Sequence, residues 1–383
     1  MAHIRRHPRI RNRWQVRYVD PSGRERARNF ARKVDADKFL VTVEADKLRG
    51  EWVDPRLSKI AFGEWVERWW GTTAHLKPYT LEGYESLLRV HILPRFGNAP
   101  LGRIQPVDIR EWVSQLHSSG LSASRTRQAY YLVAQILRAA VESGYLTKTP
   151  CIGVSLPRMQ RRDMRFLTAE EVRRIAETMR EPYGTLVYTL AYGGLRWGEA
   201  CALRQGRCGL LRSRLHVAES LSEIRGGFHF GPTKTYQVRA VVVPAFLRDR
   251  IAEHLFRRTD PDPDALVFTA PKGGPLRRKE FSAGHWKPAL EEAGIEHLRV
   301  HDLRHTCASL LIATGANPKA VQAQLGHSSI QVTFDRYGHL FPSDQEALAA
   351  RMDEVYLGSL TDTRRTPDGH QVIDLRNEQA LVK

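Results

Sequence analysis

The chain has 383 residues, 42% of them hydrophobic and 26% charged, which suits a soluble globular protein of two or three domains and exceeds what one small core can hold. Fifty-nine Lys and Arg against 42 Asp and Glu leave a net charge of +17, an excess that favours a polyanionic partner because each neutralised phosphate releases condensed counterions. A membrane partner is not expected: there is no basic amphipathic helix or lipidation signal, no apolar run near the roughly 20 residues of a span, and no apolar leader after Met1.

The basic charge is densest at the front, where residues 1–33 hold eleven Lys or Arg against Asp20 and Glu25, a net of +9. Trp14 to Val19 alternates like a strand, Asp20-Pro21-Ser22-Gly23 supplies turn chemistry, and Arg24 to Arg28 can return as a second strand. Lys33 to Arg49 reads as a helix with Phe39, Leu40, Val43 and Leu48 as its apolar positions and Gly50 as its stop. A small sheet braced by one helix and carrying Arg11, Arg13, Trp14 and Arg17 suits a DNA groove. A disordered basic tail is the alternative.

Residues 58–153 form a second, helical unit. Phe62–Trp70, Tyr79–Leu93, Pro106–Leu116 and Ser122–Tyr145 carry helical periodicity, punctuated by Pro94, Gly97, Pro100, Gly102 and Gly120. Pro106 fits a first-turn position and Ser122 a cap. The last helix sets Arg125, Arg127 and Arg138 beside an apolar face, which permits phosphate contacts without demanding them. A Pro-, Gly- and Arg-rich linker from Pro150 to Arg165 marks the clearest boundary. Thr168 with Glu171 then reads as a capping box that opens a third unit, residues 163–357. This unit is mostly helical, with strands expected at Leu215–Leu221, Gly231–Tyr236 and Arg239–Val243. The tail, 358–383, is polar, with a strand-like patch at Gln371–Ile373. The fold class expected is mainly α with small β-sheets (α+β), multidomain.

Several short stretches of the third unit could carry chemistry. Tyr192-Gly193-Gly194-Leu195-Arg196-Trp197-Gly198-Glu199 turns between two helices and leaves Arg196 in the corner, with Glu199 placed to orient it; a structural salt bridge is the plain alternative. Gly231-Pro232-Thr233-Lys234-Thr235 offers a Lys on a hairpin, or a solvated lysine. In His301-Asp302-Leu303-Arg304-His305-Thr306 a helix begins with His301 and Arg304 close together, where free N–H groups favour an anion. Leu303, Cys307, Leu310, Leu311 and Thr314 would share its apolar face. Asn317-Pro318 to Gly326 is a compact capped helix that places His327 firmly, and Tyr337 follows ten residues later. Taken singly, none of these residues is distinctive.

Taken together, Arg196, Lys234, His301, Arg304, His327 and Tyr337, in the contexts GGLRWGE, GPTKT, HDLRHT, LGHSS and TFDRYGH, closely resemble the catalytic domain of tyrosine recombinases of the phage-integrase family. The resemblance is strong over about residues 165–345. More weakly, 58–153 resembles the family's core-binding domain and 1–57 its arm-type DNA-binding domain. It implies site-specific strand exchange on double-stranded DNA attachment sites through a 3′-phosphotyrosine, with no cofactor, metal or nucleotide. Tyr337 would be the nucleophile, Arg196, Arg304 and His327 the donors to the phosphate, His301 the general base and Lys234 the general acid, with Glu199 supporting Arg196 and His305 second to these or structural. Arg11, Arg13, Trp14, Arg17, Arg125 and Arg127 would contact DNA. The resemblance further implies a homotetrameric synapse, with apolar residues of Leu348–Leu357 passing between subunits or packing on their own domain, and it allows a DNA-bending host protein and an excisionase as accessory partners.

One departure stands out: Gln205-Gly206-Arg207-Cys208 replaces an aromatic and acidic segment frequent in the family, which touches packing near the Lys hairpin but no catalytic group. Cys151, Cys201, Cys208 and Cys307 form no CxxC pair and read as reduced structural thiols, consistent with a cytoplasmic location at the host nucleoid. A type IB-like topoisomerase and a non-catalytic DNA-binding regulator are the competing readings.

Overall fold

The computed structural model describes residues 2–361 apart from 22, 51, 53, 55, 160–163, 258–261, 297 and 342–344. The expected patch at Gln371–Ile373 and linker residues Arg161 and Arg162 lie outside the described residues. The chain divides into two compact units. One gathers the residues up to Met164 with Leu221–Gly231; the other gathers Arg165–Ser220 with the chain from Pro232 onward.

The first unit opens with an antiparallel sheet of β1 (His3–Arg6), β2 (Trp14–Val19) and β3 (Glu25–Phe30), with β2 in the middle, followed by α1 (Lys33–Leu48). Alternation along β2 buries Val16 and Tyr18 against Ala36 and Val43 of α1. Trp14 shares that parity and packs on the same cluster. It therefore faces the helix and not the side that carries Arg17, which corrects the expectation of Trp and Arg on one face. The open face instead aligns Arg5, Gln15 and Asn29 across the three strands, joined by Arg5 Nε and Nη2 to Gln15 Oε1 at 3.0 and 2.9 Å and Gln15 Nε2 to Asn29 Oδ1 at 3.2 Å. Leu48, expected on the apolar side of α1, is 88% exposed.

The helical part comprises α2 (Phe62–Trp70), α3 (Pro78–Leu87), α4 (Leu93–Phe96), α5 (Pro106–Ser118) and α6 (Ala123–Glu142). Apolar residues three and four apart fill its core, among them Phe62, Trp65, Val66 and Trp69 on α2 and Ile109, Trp112, Val113 and Leu116 on α5. Both buried indoles donate to backbone, Trp65 to Ile136 O and Trp112 to His91 O, each at 3.0 Å. The helix expected over Tyr79–Leu93 is interrupted by a wide turn at Leu88–Ile92. Pro94 explains it, since the ring has no N–H and blocks the carbonyl one turn back. Ser122 caps α6, accepting from Arg125 N at 3.3 Å.

The chain from Arg165 onward contributes α7 (Ala169–Thr178), α8 (Tyr183–Gly193), α9 (Trp197–Cys201), β4 (Cys208–Gly209), β5 (Arg214–Val217), β6 (Glu219–Ile224), β7 (Gly227–Pro232), β8 (Arg239–Val242), α10 (Ala245–Arg257), α11 (Arg278–Phe281), α12 (Lys287–Glu292), α13 (Asp302–Ala313), α14 (Pro318–Leu325), α15 (Ile330–Tyr337) and α16 (Gln345–Thr361); Leu221–Gly231 of the β6–β7 hairpin group with the first unit and the rest with the second. Thr168 and Glu171 form the reciprocal capping box, at 3.2 and 2.8 Å. The almost wholly buried α8 is central, with α7, α10 and α13 packed on it. The strand expected over Leu215–Leu221 is two strands: β5 pairs with β8 in a sheet ordered β4-β5-β8, whereas β6 pairs with β7. The next expected strand, Gly231–Tyr236, ends at Pro232, so Lys234 lies on the turn between β7 and β8. No helix among the described residues is long and apolar enough to cross a membrane.

Candidate active site

The start of α13 is buried on all sides. Asp302, Leu303, Arg304, His305, Thr306, Cys307 and Ala308 are all inside, while Thr314, expected on the apolar face, is exposed. The reason is position: α13 is packed between α8 and α14, with the turn that follows Tyr337 against it as well. Polar residues at this depth require partners, and their partners assemble the site.

Arg304 donates from Nη1 to Gly194 O and from Nη2 to Leu325 O. Those carbonyls lie at the ends of α8 and α14, where Gly194 (φ 67°) and Gly326 (φ 67°) terminate the helices in the left-handed conformation. Burial and the neighbouring Arg196 lower the Arg304 guanidinium to about 9, which still leaves it charged at neutral pH. Arg196 donates to Glu199 Oε1 at 2.7 Å and to Gly326 O at 3.2 Å. Both guanidinium groups are thus hung on adjoining residues of one helix end.

Glu199 is 1% exposed and takes four charge-assisted or backbone donors: Arg196 N and Nη1, and Arg239 Nη1 and Nη2 at 3.1 and 2.7 Å. Burial alone would raise its pKa, but the Arg239 hydrogen bonds and the charges of Arg239 and Arg196 prevail and hold it at about 2. Arg239, which the sequence reading passed over, also donates to Gln324 O at 3.3 Å and lies across Gly326. A Cβ at Gly326 would sit 2.8 Å from Arg239 Cδ. Gly326→Ala is therefore expected to cost about 1–2 kcal/mol from the left-handed backbone alone, with a further loss as Arg239 shifts, read as a lowered Tm.

His327 follows Gly326 and hydrogen-bonds through Nδ1 to Thr333 Oγ1 at 2.9 Å. Its ring lies nearly parallel to that of Tyr337, 13° apart with centroids 6.2 Å apart. Burial, then the charges of Arg304 and Arg196, push its pKa down to about 3. Tyr337 is fully buried at the end of α15, and burial raises its phenol to about 12 against the pull of Arg304 and Arg336. Its Oη meets His305 Nδ1 at 2.7 Å. His301, half-buried at the cap of α13, touches His305 edge-on, centroids 5.0 Å apart. Both imidazoles are pushed down to about 4, chiefly by burial.

Five of the six predicted residues thus converge, while Lys234 is exposed on its turn and hydrogen-bonds to none of them. The predicted DNA contacts are spread over the first unit. Arg11 and Arg13 are exposed in the turn between β1 and β2, and Arg17 pairs with Glu25. Arg125 donates to Ser86 Oγ at 3.0 Å, and Arg127 to Tyr131 Oη at 3.0 Å and Pro157 O at 3.3 Å. Arg125 also lines a groove of about 820 Å³ with Tyr79, Ser86, Arg89 and Gln128.

Two family models match this chain: the phage integrase family over residues 165–344, and the phage integrase N-terminal SAM-like domain over 61–117. The putative prophage phiRv2 integrase of Mycobacterium tuberculosis is 29% identical over 354 residues, covering 90% of this chain and 93% of that protein. The ICEBs1 integrase of Bacillus subtilis is 27% identical over 293 residues, covering 73% and 78%. Among solved structures, the Tn1549 transposon integrase in complex with a circular intermediate DNA superposes with a TM-score of 0.66 at 19% identity, covering 77% of this chain and 99% of that one. A lambda integrase dimer bound to a core site gives 0.56 at 17%, covering 87% and 96%. The chain belongs to the phage integrase family, the tyrosine site-specific recombinases.

Proposed function

We propose that Tyr337 is the nucleophile of this recombinase and that Arg196, Arg304 and His327 bind the scissile phosphate. The observation that carries the assignment is the enclosure of one phenol by His305 and His327, within the charge field of Arg304. A phosphodiester passing through a pentacoordinate transition state gathers negative charge on its non-bridging oxygens, and fixed positive donors in a water-poor site stabilise it. Attack by Tyr337 Oη on phosphorus expels the 5′-oxygen and leaves a 3′-phosphotyrosine, whose bond energy is kept for rejoining. Lys234, exposed on its turn, is suited to protonate the leaving oxygen of a bound DNA strand, and His301 is retained among the site residues beside His305.

The substrate in this reading is DNA, which the Tn1549 integrase holds as a circular intermediate and the lambda integrase as a core site. In the first unit, the open sheet face with Arg5, Gln15, Arg17 and Asn29 has the side chains that read base edges in a major groove, and Arg125 and Arg127 suit phosphates. The domain plan is 1–57 for arm-type sites, 58–153 for the core site, and 163–357 for catalysis. Strand exchange between two duplexes calls for a homotetramer, as the lambda integrase forms on a Holliday junction; Met352, Val355 and Tyr356, exposed on α16, suit a neighbouring subunit. The reading places the enzyme at the host nucleoid, integrating and excising a phage or similar element with a DNA-bending protein and an excisionase as accessories.

The test is to trap covalent protein–DNA adducts in cells expressing the full chain and to sequence the attached ends. Adducts at a few defined sites with protein on a 3′-phosphate are expected. Scattered adducts would indicate a topoisomerase, and specific binding without adducts a regulator.

A further inference from the structure

We propose that His305, and not His301, takes the phenol proton of Tyr337 during strand cleavage. The proposal rests on the strand-transfer reading above and assigns one step of it. Among the described residues, the hydrogen bond to His305 Nδ1 is the only one that Tyr337 Oη makes, and at 2.7 Å it is a good hydroxyl contact. Both side chains are buried, His305 at 4% and Tyr337 at 0% exposure, so no bulk water competes for the proton. His301 faces His305 with its ring edge and makes no hydrogen bond to the phenol.

The direction of the hydrogen bond follows from the partners. A phenol so enclosed must place its proton on an acceptor, and Nδ1 is the acceptor within reach, which fixes His305 as the Nε2–H tautomer. The groups around His305 are Asp302, Arg304 and His301 on or at the start of its own helix, Arg299 just before it, and Arg336 and Tyr337 from α15. Burial and the arginines outweigh Asp302, so the ring is neutral at ordinary pH and its Nδ1 carries a free lone pair toward the phenol. In the step itself, the Oη–phosphorus bond forms while the phosphorus–O5′ bond breaks. The phenol proton moves to Nδ1, and the departing 5′-oxygen takes its proton from the general acid assigned to Lys234. In rejoining, the same proton returns from Nδ1 to the leaving phenolate.

The experiment uses the full chain and a nicked duplex carrying a cleavage site recovered from wild-type adducts, with adduct formation followed in single turnover. His305→Asn keeps an acceptor close to the place of Nδ1 but cannot take up a proton. It is expected to slow adduct formation about 100-fold. A ring-fluorinated, more acidic tyrosine at position 337 should restore most of that loss, because its phenol needs no base. His301→Asn should show no such restoration. A His305→Asn chain reacting at the parental rate overturns the assignment, as does rescue by the acidic tyrosine of His301→Asn alone. Nitrogen NMR of the wild-type histidines checks the same point with no variant that must fold: a proton resident on His305 Nδ1 would sink the idea. A wild-type chain that forms no adduct defeats the strand-transfer reading and this assignment with it, whereas normal wild-type adducts with an indifferent His305→Asn defeat the assignment alone.

Discussion

Tyr337→Phe is expected to bind its DNA sites with the parental affinity and to form no covalent adduct at all. The phenyl ring keeps the volume that packs beside His327 and His305, so the site does not collapse. The substitution removes one buried hydroxyl and leaves His305 Nδ1 without its partner, at a cost of about 1–2 kcal/mol. The chemical loss is of another order, since the hydroxyl assigned as nucleophile is gone. Gel-shift titration beside a denaturing-gel assay for adducts separates the two effects. Adducts surviving at even a few per cent would assign the nucleophile elsewhere.

The second large effect belongs to Glu199. Glu199→Gln keeps the shape but sets an amide N–H₂ against guanidinium donors, so that Arg196 and Arg239 lose the buried charge that holds both. Breaking a buried ion pair from one side costs roughly 3–5 kcal/mol. With Arg196 no longer held, adduct formation should fall about 100-fold. The pH dependence has a definite sign. The folded carboxylate sits at about 2, below its ordinary value of 4.5, so its contribution to stability is complete above about 4.5 and is lost as the pH falls from there toward 2. The shift corresponds to about 3 kcal/mol. Denaturant titrations from neutral pH into acid should show that loss in the wild type and a shallower acid limb in Glu199→Gln. Parallel acid limbs in the two proteins would contradict the role given to Arg239.

Much of the fold is legible in the sequence alone. The helices of residues 58–150 were readable because each has a polar outside, and a period of three to four survives wherever one face is wet. Two of the predicted site residues, Arg196 and His327, stand out in the sequence because punctuation precedes them, Gly193-Gly194 before Arg196 and Gly326 before His327, whereas Arg304 lies inside α13 with no such mark. The same logic failed at α13. A wheel that assigns one buried face leaves His305 outside, but this segment is enclosed all round, and period carries no information there. A weaker signal existed: His305 is four residues after His301, one turn along the same helix. Arg239 had a signal too, since it shares strand parity with the buried Val241 and Val243, and a cation on that side needs a carboxylate. What no local pattern could supply was the partner, Glu199, 40 residues earlier. The broken strand at Ala218 was hidden for the same reason, because pairing with β7 or β8 is decided by distant chain.

The suspension of Arg304 from Gly194 O and Leu325 O makes the reactive centre and the helix junction one object. Loosening either junction would withdraw the cation and melt its support together, so the centre has no hinge of its own by which it could be switched off in an otherwise folded domain. On the assignment proposed above, control over cutting would act from outside that junction, through what brings DNA or the proposed general acid Lys234 to it. An inhibitor of the folded protein would do better to block those arrivals than to dislodge the arginine.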